Sequence, residues 1–197
     1  MRCSVKRVPI ASPSDVSSLK RLVEVGEIDP REVVAVIGKT EGNGCVNDFT
    51  RGYAVRTYSD FFKECAGEEA AGISYVMSGG TEGILTPHLT VVSSSTAEGK
   101  VSESKEGKSL AIGTARTRAF LPEELGRLSQ VTQVAKAVEQ AMEAAGIGSN
   151  EDVHFVQIKC PLLTASDIQD AYARGESVVT EDTYKSMGYS RGASALG

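Results

Sequence analysis

The chain has 197 residues, 20 glycines and a formal net charge of −5, so it is long enough to bury one large core or two small ones. Lysine and arginine are scattered and form no basic stripe with interleaved aromatic residues, which argues against a nucleic-acid partner. No apolar stretch has the length of a membrane span, and the N-terminal residues lack the apolar centre of a secretory signal. These features predict a cytoplasmic protein with no membrane partner.

The side chains that most often bind metals are sparse. Four cysteines are far apart with no C-x-x-C spacing, and the chain contains only two histidines. This pattern predicts reduced thiols that pack in the interior, with no metal site and no cofactor. A catalytic cysteine is the less favoured alternative. The cysteines are Cys3, Cys45, Cys65 and Cys160.

Helical and strand patterns alternate along the chain, with glycines concentrated in the connections, which predicts an α/β fold. The first helix is predicted from about Ser14 to Val25, with Gly26 as its stop. An exposed loop is predicted near residues 95–108, and a helix capped by Ser129 is predicted over 130–145. Strands are predicted at 33–38, 52–58, 73–77, 89–94, 110–118 and 153–158.

The letters GKT at the end of the first predicted strand resemble the end of a phosphate-binding loop. The complete motif, G-x-x-x-x-G-K-S/T, needs an early glycine so that the loop backbone can wrap the phosphates. Val33 occupies that position, within the apolar run Val33–Ile37. Such a run is typical of a buried strand. A nucleotide site is therefore disfavoured, and Lys39 needs another explanation.

A helix, a glycine and a strand recur in the second half of the chain. The residues of Gly26–Lys39 align without a gap with those of Gly146–Lys159. Each copy places a lysine at the end of a predicted strand. A lysine in that position is usually a solvated charge, but the recurrence favours a functional role for both Lys39 and Lys159.

An arginine recurs in the same way. The segment Phe49–Ala54, FTRGYA, resembles residues 189–194, YSRGAS, so that Arg51 corresponds to Arg191. The spacing from lysine to arginine is 12 residues in the first copy and 32 in the second, an insertion of 20 residues. The inserted segment, roughly Thr164–Lys185, is predicted to form a helix and a loop laid over the surface.

A serine and two glycines follow the strand predicted at 73–77. Glycines in the turn Ser78-Gly79-Gly80 would let backbone amides approach a ligand, and the serine offers a nucleophile or a hydrogen bond. The chain stops before the second copy reaches an equivalent turn. We therefore expect a first repeat over 1–105 and a second, incomplete repeat over 106–197.

Five segments in this order carry a family resemblance: GKTEGNGCVNDFTRGYA, SGGTEGILTPH, IGTARTRAFLPEE, IKCPLLT and SMGYSRGASALG. Together they are similar to the ring-opening amidohydrolases, the family of cyanuric acid hydrolase and barbiturase. The resemblance implies concatenated α/β repeats with pseudo-threefold symmetry around a central site, each supplying a lysine, an arginine and a Ser-Gly pair. It also implies that a third repeat, with a structural divalent-metal site, is absent from this chain.

The substrate class that the resemblance implies is a small cyclic ureide or imide whose ring amide is hydrolysed. A ring with near-equivalent carbonyls is held well by repeated copies of one donor set. Arg51 and Arg191 would present planar donors to ring carbonyl oxygens. The Ser78 hydroxyl and the Gly79 N–H would bind another carbonyl as a small oxyanion hole.

The implied mechanism is attack by a serine on a ring carbonyl, followed by hydrolysis of the acyl-enzyme. A neutral lysine can serve as the base, as in other Ser-Lys dyads. Lys159 is the preferred base, with its serine partner in sequence beyond Gly197. Lys39 and Ser78 would then bind and polarise the substrate, although the sequence leaves open whether they are the reactive pair.

Two functions remain for comparison. The first is a cyclic-amide hydrolase whose site is completed by sequence missing from this chain, with either cyanuric or barbituric acid as substrate. The second is a non-catalytic ligand-binding or regulatory module of the same fold. Exposed repeat faces and unpaired sheet edges favour self-association, so a homo-oligomer is predicted.

Overall fold

The structure is a computed structural model that describes residues 2–80, 85–95 and 110–197. The chain forms two compact units, Met1–Ile112 and Gly113–Gly197. The repeat boundary predicted between residues 105 and 106, and residues 96–108 of the predicted loop, lie outside the described residues. Among the helices that are described, none combines the length and apolar composition that crossing a membrane requires.

The described residues of the first unit form a four-stranded sheet and two α-helices. The strand order is β1-β4-β2-β3; β4 is antiparallel to both of its neighbours, and β2 is parallel to β3. The strands are β1 Arg2–Pro9, β2 Val33–Lys39, β3 Ser74–Ser78 and β4 His88–Ser95, and the helices are α1 Ser17–Glu24 and α2 Phe49–Ala66.

The core of the first unit joins the helices to the sheet. Tyr58 and Phe62 of α2 and Leu19 of α1 are fully buried in one hydrophobic cluster with Val36 of β2 and Leu89 of β4. Burial of this apolar area is the main favourable contribution to folding. The unit therefore fixes the ends of β2 and β3 against a packed α2.

The prediction of a strand at 52–58 is wrong, because these residues lie inside α2. Asp48 caps this helix, since its side chain accepts a hydrogen bond from the Thr50 N–H. Ala54, Tyr58 and Phe62 are buried at intervals of four residues, which is the spacing of one helix face. A run of β-branched and aromatic residues suggested a strand, but packing of that helical face decides the structure.

The other elements predicted for this unit are close to those observed. The strands predicted at 33–38, 73–77 and 89–94 are confirmed within one residue. The first helix begins at Ser17 rather than near Ser14 and ends before Gly26, whose φ is 72°. Strand β1 was not among the predicted elements, because its exposed charged residues hide its pairing with β4.

The second unit consists of three α-helices, α3 Leu128–Ala145, α4 Ala165–Ala173 and α5 Thr183–Leu196, together with short 3₁₀ turns, among the residues described. The predicted helix over 130–145 is confirmed, and it ends at Gly146 in the left-handed conformation. Ser129 is not its cap. The helix begins two residues earlier, and the Ser129 hydroxyl instead donates a hydrogen bond to Glu124.

The predictions of strands at 110–118 and 153–158 are wrong. Both segments have no regular secondary structure. An alternating pattern indicates which side chains can face a core, but a strand also needs a neighbour to complete its hydrogen bonds. Neither segment belongs to a described β-ladder. Periodicity alone therefore predicted two strands in segments that are not strands.

The predicted insertion near 164–185 does contain a helix and a loop. Thr164 caps α4 in a reciprocal pair of hydrogen bonds with Asp167. The helix is more than a surface layer, because Ile168 packs with the buried Leu163 and Leu125. It contributes to the small core of the second unit.

Two arginine–glutamate pairs predict how the second unit responds to acid. The hydrogen bond from Arg174 lowers the pKa of Glu123 to about 2, and that from Arg118 lowers the pKa of Glu124 to about 2. The ordinary pKa is 4.5, so the stabilisation is fully present above about pH 4.5 and is lost as the pH falls towards 2. We expect the free energy of unfolding to decrease through this window.

Chemical denaturation between pH 2 and 6 measures this effect. Glu124→Gln should reduce the slope of the free energy of unfolding against pH. The matched control is Glu139→Gln, which removes one carboxylate from the exposed side of α3. Equal slopes for the two variants would contradict the assignment to the Arg118–Glu124 pair.

Candidate active site

The parallel pairing of β2 and β3 places Lys39 beside Ser78. These residues are register partners at the last position of each strand. Lys39 Nζ donates to Ser78 Oγ at 3.3 Å and to the Gly79 carbonyl oxygen at 3.0 Å. An ammonium has three donors, and these contacts use two of them in the described part of the chain. The third donor can bind a ligand at the exposed Ser78.

The Ser78–Gly79 turn is held by backbone contacts as well. The Thr40 N–H donates to the Ser78 carbonyl oxygen at 2.9 Å. A Cβ atom added at Gly79 would overlap Asp48 Oδ2 and would lie 2.7 Å from the Gly44 nitrogen. Only glycine fits this position, since its backbone touches the loop that precedes α2.

Arg51 lies in the first turn of α2 and is oriented by that same loop. Its guanidinium donates to the Cys45 carbonyl oxygen, and its Nε is 3.6 Å from Asp48 Oδ2. The Arg51 side chain is only 19% exposed. A guanidinium held in this way presents its remaining N–H groups in a fixed plane.

Asp48 is a residue of the site that sequence reasoning missed. Its side chain is fully buried, and it accepts hydrogen bonds from Gly44 and Thr50. Burial raises the pKa of Asp48, but the hydrogen bonds from Thr50 and Gly44 and the charge of Arg51 outweigh burial, so the pKa lies below its ordinary value. An aspartate before a helix start is a recognisable N-cap signal, which the incorrect strand at 52–58 concealed.

The first unit therefore brings four predicted site residues into one cluster: Lys39, Ser78, Gly79 and Arg51. The cluster combines an ammonium, a hydroxyl, a turn backbone and a guanidinium. Each of these four groups can donate a hydrogen bond to a carbonyl oxygen, and the hydroxyl is also a potential nucleophile. The arrangement suits binding and polarisation of a small polar ring.

The second unit carries the other two predicted site residues, Lys159 and Arg191. Lys159 is exposed and follows a segment without regular secondary structure. Arg191 is exposed on α5, where its Nε donates to the Met187 carbonyl oxygen at 3.2 Å. Arg191 lines an open groove of about 800 Å³ beside α3, together with Arg127 and Tyr184, but Lys159 is not among the lining residues.

Acidic, cysteine and histidine side chains do not form a metal site within the described ranges. No three of them lie together in a group that could hold a metal ion there.

Comparison with known proteins gives a family match for nearly the whole chain. Residues 4–197 match the family model described as amidohydrolase ring-opening protein. The chain is 54% identical over 201 residues to a cyanuric acid amidohydrolase of Enterobacter cloacae, covering 100% of this chain and 54% of that protein. It is 52% identical to one of Pseudomonas sp. strain ADP, covering 98% of this chain and 54% of that protein.

Solved structures agree with the sequence match. The crystal structure of the cyanuric acid hydrolase of A. caulinodans has a TM-score of 0.92 and 51% identity, covering 99% of this chain and 53% of that chain. A second cyanuric acid hydrolase structure, described as an evolutionary innovation by structural concatenation, has a TM-score of 0.90 and 50% identity, covering 99% of this chain and 54% of that chain. The chain thus spans about half the length of the curated relatives it matches.

Proposed function

The chain belongs to the ring-opening amidohydrolase family, and from this premise we propose that it contributes to hydrolysis of a cyclic amide through a Ser-Lys mechanism. Its substrate is cyanuric acid or barbituric acid. The observation that carries the proposal is the 3.3 Å contact between Lys39 Nζ and Ser78 Oγ at the ends of two parallel strands. That contact puts a lysine within proton-transfer reach of a serine hydroxyl.

In this proposal the first unit binds and polarises the ring. The Gly79 N–H and the Ser78 hydroxyl donate to one ring carbonyl oxygen, with Lys39 beside them. Arg51 donates in plane to a second carbonyl oxygen. Donors fixed before the substrate arrives stabilise the negative charge that develops on a carbonyl oxygen during attack, because they need no reorganisation.

The reactive base is Lys159, paired with a serine from outside this chain. Neutral lysine takes the proton as the serine oxygen attacks the ring carbonyl carbon, and returns it to the ring nitrogen as the C–N bond breaks. Water then attacks the acyl-enzyme ester, which releases the serine and leaves a carboxylic acid on the opened ring. Arg191 orients the substrate from the second unit.

The length of the relatives supports a site that this chain does not complete alone. Because the chain spans about half of each relative, the missing serine and further donors come from sequence corresponding to the relatives' other part. A third repeat and pseudo-threefold symmetry belong to the same proposal. Action as a homo-oligomer in the cytoplasm also stays a prediction, and sedimentation of the chain measures its oligomeric state.

The alternative is a binding or regulatory module that keeps the ligand donors without catalysis. It is supported by one observation: Lys39, Ser78 and Gly79 of the first unit already contact one another, which supplies donors for ligand binding. The two functions differ in whether completing the chain restores turnover.

Ring-opening assays distinguish the two functions. We expect hydrolysis of cyanuric or barbituric acid by a version that is extended at its C-terminus with the remaining part of a relative. The 197-residue chain alone should show at most weak turnover. Loss of substrate absorbance and release of the opened product are measured for both substrates. An extended form that binds the ring but never opens it would favour the binding module.

A further inference from the structure

Three parts of the first unit meet at the carboxylate of Asp48. One oxygen accepts hydrogen bonds from the backbone N–H and the hydroxyl of Thr50, at the start of α2. The other accepts from the Gly44 N–H at 2.8 Å and faces Arg51 Nε at 3.6 Å. The same oxygen occupies the space into which a side chain at Gly79 would project. In these contacts the carboxylate is the acceptor, and the facing groups of Gly44, Thr50 and Arg51 are donors.

We propose that Asp48 is a positioning residue, which holds Arg51 and the Gly79 backbone in the geometry that the Lys39–Ser78 pair requires. It touches neither the proposed substrate nor the reacting atoms. It acts through the groups that do, because the loop containing Gly44, the guanidinium and the turn all take their positions from its two oxygens.

A second path of contacts links Asp48 to the end of β3. Thr50 Oγ1 lies 3.0 Å from Thr40 Oγ1, and Thr40 is fully buried. The Thr40 N–H donates to the Ser78 carbonyl oxygen, and the single hydrogen of the Thr40 hydroxyl can donate to Thr50 Oγ1, because the Thr50 hydroxyl already donates to Asp48. A hydrogen-bonded chain therefore runs from the helix that carries Arg51 to the residue beside Lys39. Displacement of Asp48 would be transmitted to both sides of the site.

The groups around position 48 require a carboxylate, so another N-cap side chain such as asparagine would not satisfy them. Asparagine caps a helix about as well as aspartate, so Asp48→Asn should retain the hydrogen bond to the Thr50 N–H. Its amide nitrogen would then face the Gly44 N–H and the Arg51 guanidinium, which are also donors. The cap survives, but the contacts that position the loop and Arg51 are lost. This difference separates a positioning role from simple capping.

The matched control is Asp182, which caps α5 by accepting from the Tyr184 and Lys185 N–H groups. Asp182→Asn makes the same chemical change at a helix start that is exposed and distant in sequence. Because Asp182→Asn keeps a good N-cap, we expect it to unfold at nearly the temperature of the unmodified chain, whereas Asp48→Asn should unfold at a lower temperature because it leaves the Gly44 and Arg51 donors without a buried acceptor. Any effect specific to Asp48→Asn then reports the additional contacts.

Amide hydrogen exchange of the full 197-residue chain tests the geometry. In Asp48→Asn, the Gly44 amide should exchange about tenfold faster or more, since its hydrogen bond to a charged acceptor is removed. In Asp182→Asn, the exchange rate of the Gly44 amide should be unchanged. Gly44 exchange that is the same in Asp48→Asn as in the unmodified chain would overturn the proposal.

A ligand-binding measurement tests the role of Asp48 in substrate binding. This second test rests on the proposed function. Cyanuric acid affinity, measured by calorimetry, should fall about tenfold in Asp48→Asn and stay unchanged in Asp182→Asn. If the unmodified chain binds and Asp48→Asn binds equally well, the positioning role is wrong. If the unmodified chain does not bind, ligand binding by this chain is wrong, and the exchange result still decides the positioning.

A second pair of variants covers the case in which Asp48→Asn fails to fold. Thr50→Val removes the hydroxyl that connects Asp48 to Thr40, whereas Thr50→Ser keeps it. The Thr40 amide should exchange faster in Thr50→Val and be preserved in Thr50→Ser. Equal exchange in these two variants would overturn the connection between Asp48 and the Ser78 side of the site.

Discussion

Replacing Gly79 by alanine is expected to cost roughly 1–3 kcal/mol of stability, the range for overpacking a well-packed position, and to abolish ligand binding. The added Cβ would overlap Asp48 Oδ2 and lie 2.7 Å from the Gly44 nitrogen. Both neighbours are held by their own hydrogen bonds, so neither can move without breaking contacts. Denaturant unfolding and cyanuric acid calorimetry measure the two effects.

The control for this prediction is Gly52→Ala, one residue from Arg51. A Cβ atom at Gly52 would meet no atom within 4 Å, and alanine favours a helix interior by about 1 kcal/mol over glycine. This variant should therefore be at least as stable as the unmodified chain. Similar unfolding midpoints for the two variants would contradict the close approach at Gly79.

Replacing Lys159 by methionine is expected to lower kcat about 10²–10⁴-fold, the contribution of a general base, with little change in KM. Lys39→Met is expected to act mainly on KM, because Lys39 helps to hold the substrate. Methionine removes the charge and keeps an unbranched chain of similar length. Steady-state kinetics of ring opening, in a C-terminally extended form that turns over, measure both parameters.

The same comparison decides which lysine is the base. If Lys39→Met abolishes kcat while Lys159→Met leaves it intact, the Lys39–Ser78 pair is reactive and the assignment is reversed. Lys63→Met provides the control, because Lys63 is an exposed residue of α2 and its loss removes one charge only. Equal effects of all three substitutions would leave no specific role for either Lys39 or Lys159.

The meeting of Lys39 and Ser78 is the part of the site that the sequence predicts best. Each ends an apolar run with strong strand preference, and the side chains that end two neighbouring parallel strands lie at the same edge of the sheet. The strand patterns at 33–38 and 73–77 are local, so both strands can be predicted without knowledge of the rest of the fold. The internal repeat then singles out Lys39 among the 21 lysines and arginines.

Helix α2 shows where local reasoning fails. Its β-branched and aromatic residues favour a strand in isolation, but the Asp48 cap and the burial of Ala54, Tyr58 and Phe62 select a helix. Tertiary packing outweighs these propensities, which differ by less than about 1 kcal/mol per residue. The error also hid Asp48, since an N-cap is meaningful only in front of a helix.

The segments at 110–118 and 153–158 fail for a different reason. Their patterns identify side chains that could be buried, but pairing depends on a neighbouring strand that a local pattern cannot name. The contacts of Gln130 are likewise non-local, since its buried amide donates to Ser190 and Ser194 on α5. Sequence patterns therefore predicted α3 and a helix within the insertion, but neither α5 nor its contacts with α3.

The register between β2 and β3 has a consequence for how this family can vary. Lys39 and Ser78 face each other through the ladder itself, and side chains along a strand alternate between opposite faces of the sheet. Adding or removing a single residue within either strand would turn one of the two groups to the opposite face. Natural insertions and deletions should accordingly accumulate in the connections, while the lengths of these two strands stay constant among active homologues.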